Sequence, residues 1–164
     1  MSVIEVISSR RSIRSYENKQ IPKEVLDQII QAGQQAPSAV NKQPYRFVVV
    51  TKSELKKEMK SVFSRFLEKA PVVIVGCANV KSRLTGKWAI IDTTIALQNM
   101  VLAAWTLGVG SCWIGSFNEE KTKQSLKIPQ DWKVVCLIAL GYPAENPEER
   151  KKKSTQELFG DNQF

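Results

Sequence analysis

Residues 88–107 carry the longest helical pattern in the chain, and no single stripe holds its apolar side chains. Ile90, Ile91, Leu97, Val101, Leu102 and Trp105 point in directions spread around the axis. At 1.5 Å per residue the segment reaches about 30 Å. A helix that is apolar nearly all round is buried on more than one side. A chain of 164 residues has few elements with which to bury it. The pattern therefore predicts a central helix packed against its own sheet and, on another side, against a second subunit. Gly108 supplies the stop.

Around that helix the apolar runs alternate between two kinds. Residues 45–51, 71–79 and 133–142 are rich in β-branched side chains and predict core strands. Residues 109–117 predict a shorter strand with glycines at both ends, a pattern that often marks close backbone approach by a ligand. Helical spacing is expected over 2–9, with Val3, Ile4 and Ile7 inward, and from Ile21-Pro22 to Ala36. Two more helices are expected, one capped by Ser53 and running to about Phe66, the other from Asn118 to about Leu126. The order shows no regular β-α-β alternation and no three-glycine dinucleotide fingerprint. It predicts one α+β domain over residues 1–164, with a central mixed or antiparallel sheet flanked by helices.

The chemistry-bearing stretch is Arg10-Arg11-Ser12-Ile13-Arg14. Guanidinium groups so close together repel one another unless an anion or water lies between them, and their planar donor forks suit a phosphate. If the chain is helical here, Arg10 and Arg14 share a face; if extended, Arg10, Ser12 and Arg14 point the same way. The formal charge of +8 adds long-range attraction for anions. A second basic cluster, Arg150, Lys151, Lys152 and Lys153, lies in the polar tail. Between Pro37 and Pro44, a loop offers Ser38, Asn41 and Gln43, whose side chains can both donate and accept hydrogen bonds, as the edge of a heterocycle requires.

Several classes drop out. There is no histidine, which removes a Ser-His-Asp triad, a Cys-His dyad and most zinc sites, so no metal site is expected. Cys77 and Cys136 sit in apolar runs and are expected to be buried, reduced thiols; Cys112 lies beside Gly110 and Trp113. Hard chemistry, if any, belongs to a cofactor. No helix-turn-helix, zinc or RNA-platform pattern accompanies the charge, so no nucleic-acid partner is expected. The most apolar run, 70–78, is too short to span a bilayer, and Met1-Ser2-Val3-Ile4-Glu5 has no signal core. A soluble, cytoplasmic protein without a membrane partner is expected.

Three motifs in order resemble the nitroreductase-like family of FMN flavoproteins: Arg10-Arg11-Ser12-x-Arg14, Ala36-Pro37-Ser38-x-x-Asn41-x-Gln43-Pro44 and Gly110-Ser111-Cys112-Trp113-Ile114-Gly115. Gly141-Tyr142-Pro143 and the basic tail before Glu157-Leu158 fit the same order. The resemblance implies that Arg10 binds the FMN phosphate with Lys152 or Arg150 of the tail. It implies that Arg11 and Ser12 contact the ribityl and phosphate region and that Arg14 reaches the pyrimidine end of the ring. Pro37, Ser38, Asn41 and Gln43 would contact the flavin, some from a partner subunit. Backbone at Ile114 and Gly115 would approach the ring near N5. The resemblance further implies a homodimer with two flavins in the interface, a hydride from NADH or NADPH, and a nitroaromatic, quinone or similar small-molecule acceptor. No side chain of the chain itself is assigned a catalytic role. A flavin carrier without nicotinamide turnover, specialised flavin chemistry on the same fold and a flavin-free anion- or nucleic-acid-binding module, motivated by the +8 charge, are the competing readings. Compared with the family, the link 80–87 is short, and Lys152 stands where arginine is common.

Overall fold

The computed structural model describes residues 1–163. In chain order the elements are α1 (Val3–Ser9), α2 (Lys23–Gln34), β1 (Tyr45–Val50), α3 (Ser53–Met59), β2 (Val72–Asn79) and α4 (Ala89–Thr106). β3 (Gly110–Ile114), α5 (Glu119–Leu126), β4 (Trp132–Gly141) and α6 (Thr155–Leu158) follow, with 3-10 turns at Ala39–Asn41 and Arg65–Lys69.

The four strands form one antiparallel sheet in the order β1-β2-β4-β3. Strand periodicity sends alternate residues to opposite faces. On one face Ile74, Ile138 and Leu140 meet Leu97, Met100 and Val101 of α4 and Ile29 of α2. On the other, Val73, Val75, Leu137 and Ala139 meet Met59, Leu67 and Ile128. β2 is buried on both faces apart from its last residue, which is why it is an unbroken apolar run. Gly76 lets α4 lie close: a Cβ there would stand 2.6 Å from Leu97 Cδ1. The fold is α+β, with α4 against the middle of the sheet.

The sheet buries only part of α4. Ala96, Leu97, Met100, Val101 and Ala104 face it. Ile91 remains exposed, and Ile95 and Leu102, four and eleven residues on, are half-buried. This second apolar stripe is uncovered within the chain.

Three local expectations are corrected. In α1 only Val6 is buried; Val3, Ile4 and Ile7 are 70%, 72% and 54% exposed. The helix touches α4 through one edge, with Trp105 Nε1 donating to Ser9 Oγ at 2.9 Å, and turns its apolar face outward. The helix expected to reach Phe66 ends at Met59, and Lys60 is extended. The serines beyond it spend their hydroxyls on Ser116 rather than on a helical turn, the competition that makes serine a weak helix former. Ser53 is the first helical residue rather than the cap, a position held by Lys52 without a side-chain bond.

Beyond Tyr142 the chain passes back along residues 12–17: Glu17 N–H donates to the Tyr142 carbonyl at 2.9 Å and Ala144 N–H to the Ser15 carbonyl at 3.0 Å. Residues 148–163 are all exposed. Among the described residues no helix is long and apolar enough to cross a membrane, and no acidic, cysteine or histidine group could hold a metal ion.

Candidate active site

The arginine cluster is extended. α1 stops at Arg10, Ser12 pairs with Ser111 in an isolated parallel bridge, and Ile13 N–H donates to the Ser111 carbonyl at 2.9 Å. Ile13 is the apolar anchor, 1% exposed, and Gly110 makes room for it: a Cβ there would lie 2.6 Å from Ile13 Cγ1. Of the two geometries open from sequence, the extended one holds, and Arg10, Arg11, Ser12 and Arg14 all line one cleft while Ile13 is buried. The glycine at 110 therefore serves packing within the chain.

The tail completes the site. Glu145 accepts from the backbone N–H of Arg14 and, at 2.9 Å, of Ser15. That contact returns residues 147–152 to the arginines, and together they enclose a cleft of ≈ 390 Å³. Arg10, Arg11, Arg14, Arg150 and Lys152 line it, against the carboxylates of Glu148 and Glu149. Arg11 is engaged: its guanidinium donates to the Ser8 carbonyl at 2.8 Å and to Glu149 Oε2 at 3.2 Å. Arg10 is not. Its Nη1 is buried and has no hydrogen-bond partner. Among the residues lining the cleft, Arg10 thus keeps a guanidinium N–H that no protein group has taken, a donor of the kind an anion uses.

Arg14 also borders a second recess of ≈ 140 Å³, formed by Phe63, Ser64, Phe66 and the stretch from Cys112 to Ser116. Ile114 is buried and Gly115 exposed at the end of β3. A Cβ on Gly115 would meet nothing within 4 Å, the opposite of Gly110. Its bare backbone faces open space, where a flat ring could lie against it. Cys112 is buried, and that burial pushes its thiol pKa up. It is an inert wall rather than a nucleophile at neutral pH.

The loop between Pro37 and Pro44 carries backbone that side chains rarely adopt. Val40, Asn41 and Gln43 have φ of 46°, 54° and 49°. For a β-branched residue such as Val40 this is a true outlier, and such strain persists only where the surroundings impose it. Here Gln43 N–H donates to Ser38 Oγ at 3.0 Å, and Ala39 N–H donates at 3.2 Å to the buried carboxylate of Asp92. Pro37, Asn41 and Gln43 are left exposed and Ser38 half-exposed.

The two halves of the expected site do not meet within the chain. The arginine cluster is tied to α4 at Trp105 through Ser9, and the loop is tied to α4 at Asp92. Thirteen helical residues, about 20 Å, separate those anchors.

The profile of the Nitroreductase family matches the chain in two overlapping stretches, residues 7–75 and 59–142. The chain belongs to this family. A relative from Methanothermobacter thermautotrophicus, described as a candidate NADH dehydrogenase/NAD(P)H nitroreductase, is 37% identical over 166 residues, covering 97% of this chain and 83% of the relative. The crystal structure of a nitroreductase family protein from Clostridium novyi NT superposes with a TM-score of 0.81 at 36% identity, covering 92% of this chain and 89% of that one. An FMN-dependent nitroreductase from Clostridium difficile R20291 gives a TM-score of 0.81 at 31% identity, covering 98% and 99%.

On this nitroreductase fold, Arg10, Arg11, Ser12, Arg14, Arg150 and Lys152 share one cleft, and Ile114 and Gly115 form the adjoining recess. Pro37, Ser38, Asn41 and Gln43 stand at the far end of α4. Sequence reasoning missed three contributors. Glu145 and Glu149 lie more than a hundred residues from the arginines they engage, and nothing in their local pattern marks them. Phe63 was hidden inside a presumed helix; the Ser-Val-Phe-Ser run, poor in helix formers, was the available signal.

Proposed function

We propose that this protein is an FMN-dependent oxidoreductase that takes reducing equivalents from NADH or NADPH and delivers them to a nitroaromatic, quinone or similar conjugated acceptor. The observation that carries the reading is the buried, unpartnered Arg10 Nη1 in a cleft lined by five cations. A phosphate monoester dianion is the ligand that this donor set fits. Gly115, open on its exposed side, and Arg14, which borders both recesses, fit a flat ring continuing from that phosphate.

When bound, FMN supplies the two-electron chemistry, accepting a hydride from the nicotinamide and passing electrons to the acceptor in alternating half-reactions. The chain binds, orients and excludes water. Arg10, with Lys152 and Arg150, would hold the phosphate, and Ser12 and Arg11 the ribityl end. Arg14 would place positive charge at the pyrimidine edge, favouring the reduced, anionic cofactor. The strained loop would supply Ser38, Asn41 and Gln43 to the ring's polar edge.

Since loop and arginines are about 20 Å apart along α4, the loop that completes each site would come from the other protomer of a homodimer. The uncovered stripe of Ile91, Ile95 and Leu102 and the outward-facing Val3, Ile4 and Ile7 are apolar surface that such a dimer would bury.

The test is anaerobic. The protein is saturated with FMN, mixed separately with NADH and NADPH, and the oxidised-flavin band is followed. Rapid bleaching by either donor is expected. Bound flavin that dithionite reduces but neither nicotinamide touches would leave a flavin carrier in place of the oxidoreductase.

A further inference from the structure

We propose that Asp92 is the positioning residue for the loop 38–43, holding it in the left-handed conformation in which it would meet the flavin of the other protomer. This rests on the functional reading above and adds to it a residue that would touch neither cofactor nor substrate.

Asp92 is 5% exposed in the first turn of α4. It takes part in no ion pair among the described residues. A buried carboxylate without a cation is unfavourable unless other polar groups compensate it. Backbone dipoles do so from two directions. The N-terminus of α4 favours an anion in its first turn, and Ala39 N–H donates to Asp92 Oδ2 across 53 residues of chain. A hydrogen bond to a charged acceptor is the stronger kind.

The strain begins one residue after that bond, at Val40, and continues through Asn41 and Gln43. Most hydrogen bonds of the loop stay inside it: Asn41 N–H donates to the Ser38 carbonyl at 2.9 Å and Gln43 N–H to Ser38 Oγ at 3.0 Å. They shape the turn without fixing it to the body of the protein. Among the described residues two bonds do that. Asn79 N–H donates to the Pro44 carbonyl at 2.8 Å, at the end that enters β1, and Asp92 holds the other end. Tyr45 keeps its hydroxyl buried and unpartnered, and the charge of Asp92 adds to the upward push that burial gives its pKa. The loop therefore leaves and returns across the same carboxylate. Within it, Gln43 Nε2 donates to the Asn41 carbonyl at 3.2 Å and to Asn41 Oδ1 at 3.3 Å. The Asn41 amide nitrogen and the Gln43 amide oxygen are left, a donor beside an acceptor, and their direction follows from the strained backbone.

The experiment cuts the tie from both sides. FMN-loaded wild type, Asp92→Ala, Asp92→Asn and Ala39→Pro are compared. Ala39→Pro removes the N–H donor and leaves α4 untouched. Ser38, at φ −143° and ψ 157°, already has the extended backbone that a residue before proline adopts. This variant carries the test if Asp92→Ala does not fold. Two quantities are read: trypsin cleavage of the native protein after Lys42, exposed in the loop, and the flavin midpoint potential, which a general loss of stability would not move. Asp92→Ala and Ala39→Pro are expected to be cut at Lys42 about tenfold faster. They should also lose about tenfold more affinity for reduced than for oxidised FMN, a potential ~30 mV lower, as the Asn41 amide no longer reaches the ring's anionic edge. Asp92→Asn, whose amide oxygen can still accept from Ala39, should restore both readouts. A wild-type potential in Asp92→Ala, or in Ala39→Pro where the first variant does not fold, overturns the proposal. So does faster cleavage with an unchanged potential, which would leave Asp92 a structural tie alone, or an Asp92→Asn as impaired as Asp92→Ala. Wild type that takes up no FMN overturns the functional reading and the proposal together, an outcome visible before any variant is compared.

Discussion

In the proposed site Arg10 would concentrate the binding energetics in a single guanidinium. Its Nη1 has no partner within the protein, so a bound phosphate would supply a charge-assisted hydrogen bond that the chain itself does not. Such bonds contribute roughly 1.5–3 kcal/mol each. Arg10→Ala is accordingly expected to weaken FMN binding at least about tenfold, since a tenfold change needs only ~1.4 kcal/mol; an unchanged dissociation constant in a flavin-fluorescence titration would remove Arg10 from the phosphate contact. The arginine motif was legible from sequence because its members are neighbours and either backbone conformation gathers Arg10 and Arg14. Glu149, which occupies Arg11, was not, because the contact exists only once the tail has folded back 138 residues later. Val40 likewise gives no sign in sequence of its left-handed backbone, since a β-branched residue is the last that propensity would place there.

At the scale of elements the sheet titrates as well as packs. Cys77 on β2 and Cys136 on β4 lie on opposite faces of the two central strands. Burial pushes their thiols up to about 11 and about 12, respectively. A raised folded-state value means that the stabilisation is fully present below the unfolded thiol value of about 8.5 and is lost as pH rises through the folded values. The melting temperature should therefore fall from about pH 8.5 upward, and Cys77→Ala/Cys136→Ala should flatten that fall relative to its own value at pH 7. A double variant with the same alkaline slope as wild type would assign the loss to other groups. The strands were readable because β-branched runs of strand length are rarely anything else. The end of α3 was not, since a Ser-Val-Phe-Ser run tolerates a helix until a distant carbonyl, that of Ser116, offers its hydroxyls a better acceptor. The inward placement of α1 failed for a related reason: periodicity shows that a face is apolar without saying whether its own fold or another chain covers it.

For the whole molecule, the surplus apolar surface of α4 was visible in sequence, while the strand order and the separation of the two half-sites were not, since both depend on how elements far apart in the chain are paired. If each flavin takes its arginines from one protomer and its loop from the other, defects should complement. Arg10→Ala and a Ser38→Ala/Asn41→Ala double variant, each deficient in FMN binding alone, should regain flavin when mixed under conditions that exchange subunits. Random pairing makes half of the dimers mixed, each with one intact site, so about a quarter of all sites should recover. No recovery would mean that each protomer builds its site alone. The same geometry gives α4 a second role, as a ruler. One of its ends would touch the first flavin and the other end the second, so the two cofactors would stand about as far apart as the Asp92 and Trp105 anchors, near 20 Å. At physiological ionic strength charges interact over only about 8 Å. Charge at one site would then be largely screened from the other, and such a dimer would fill and empty its two sites independently.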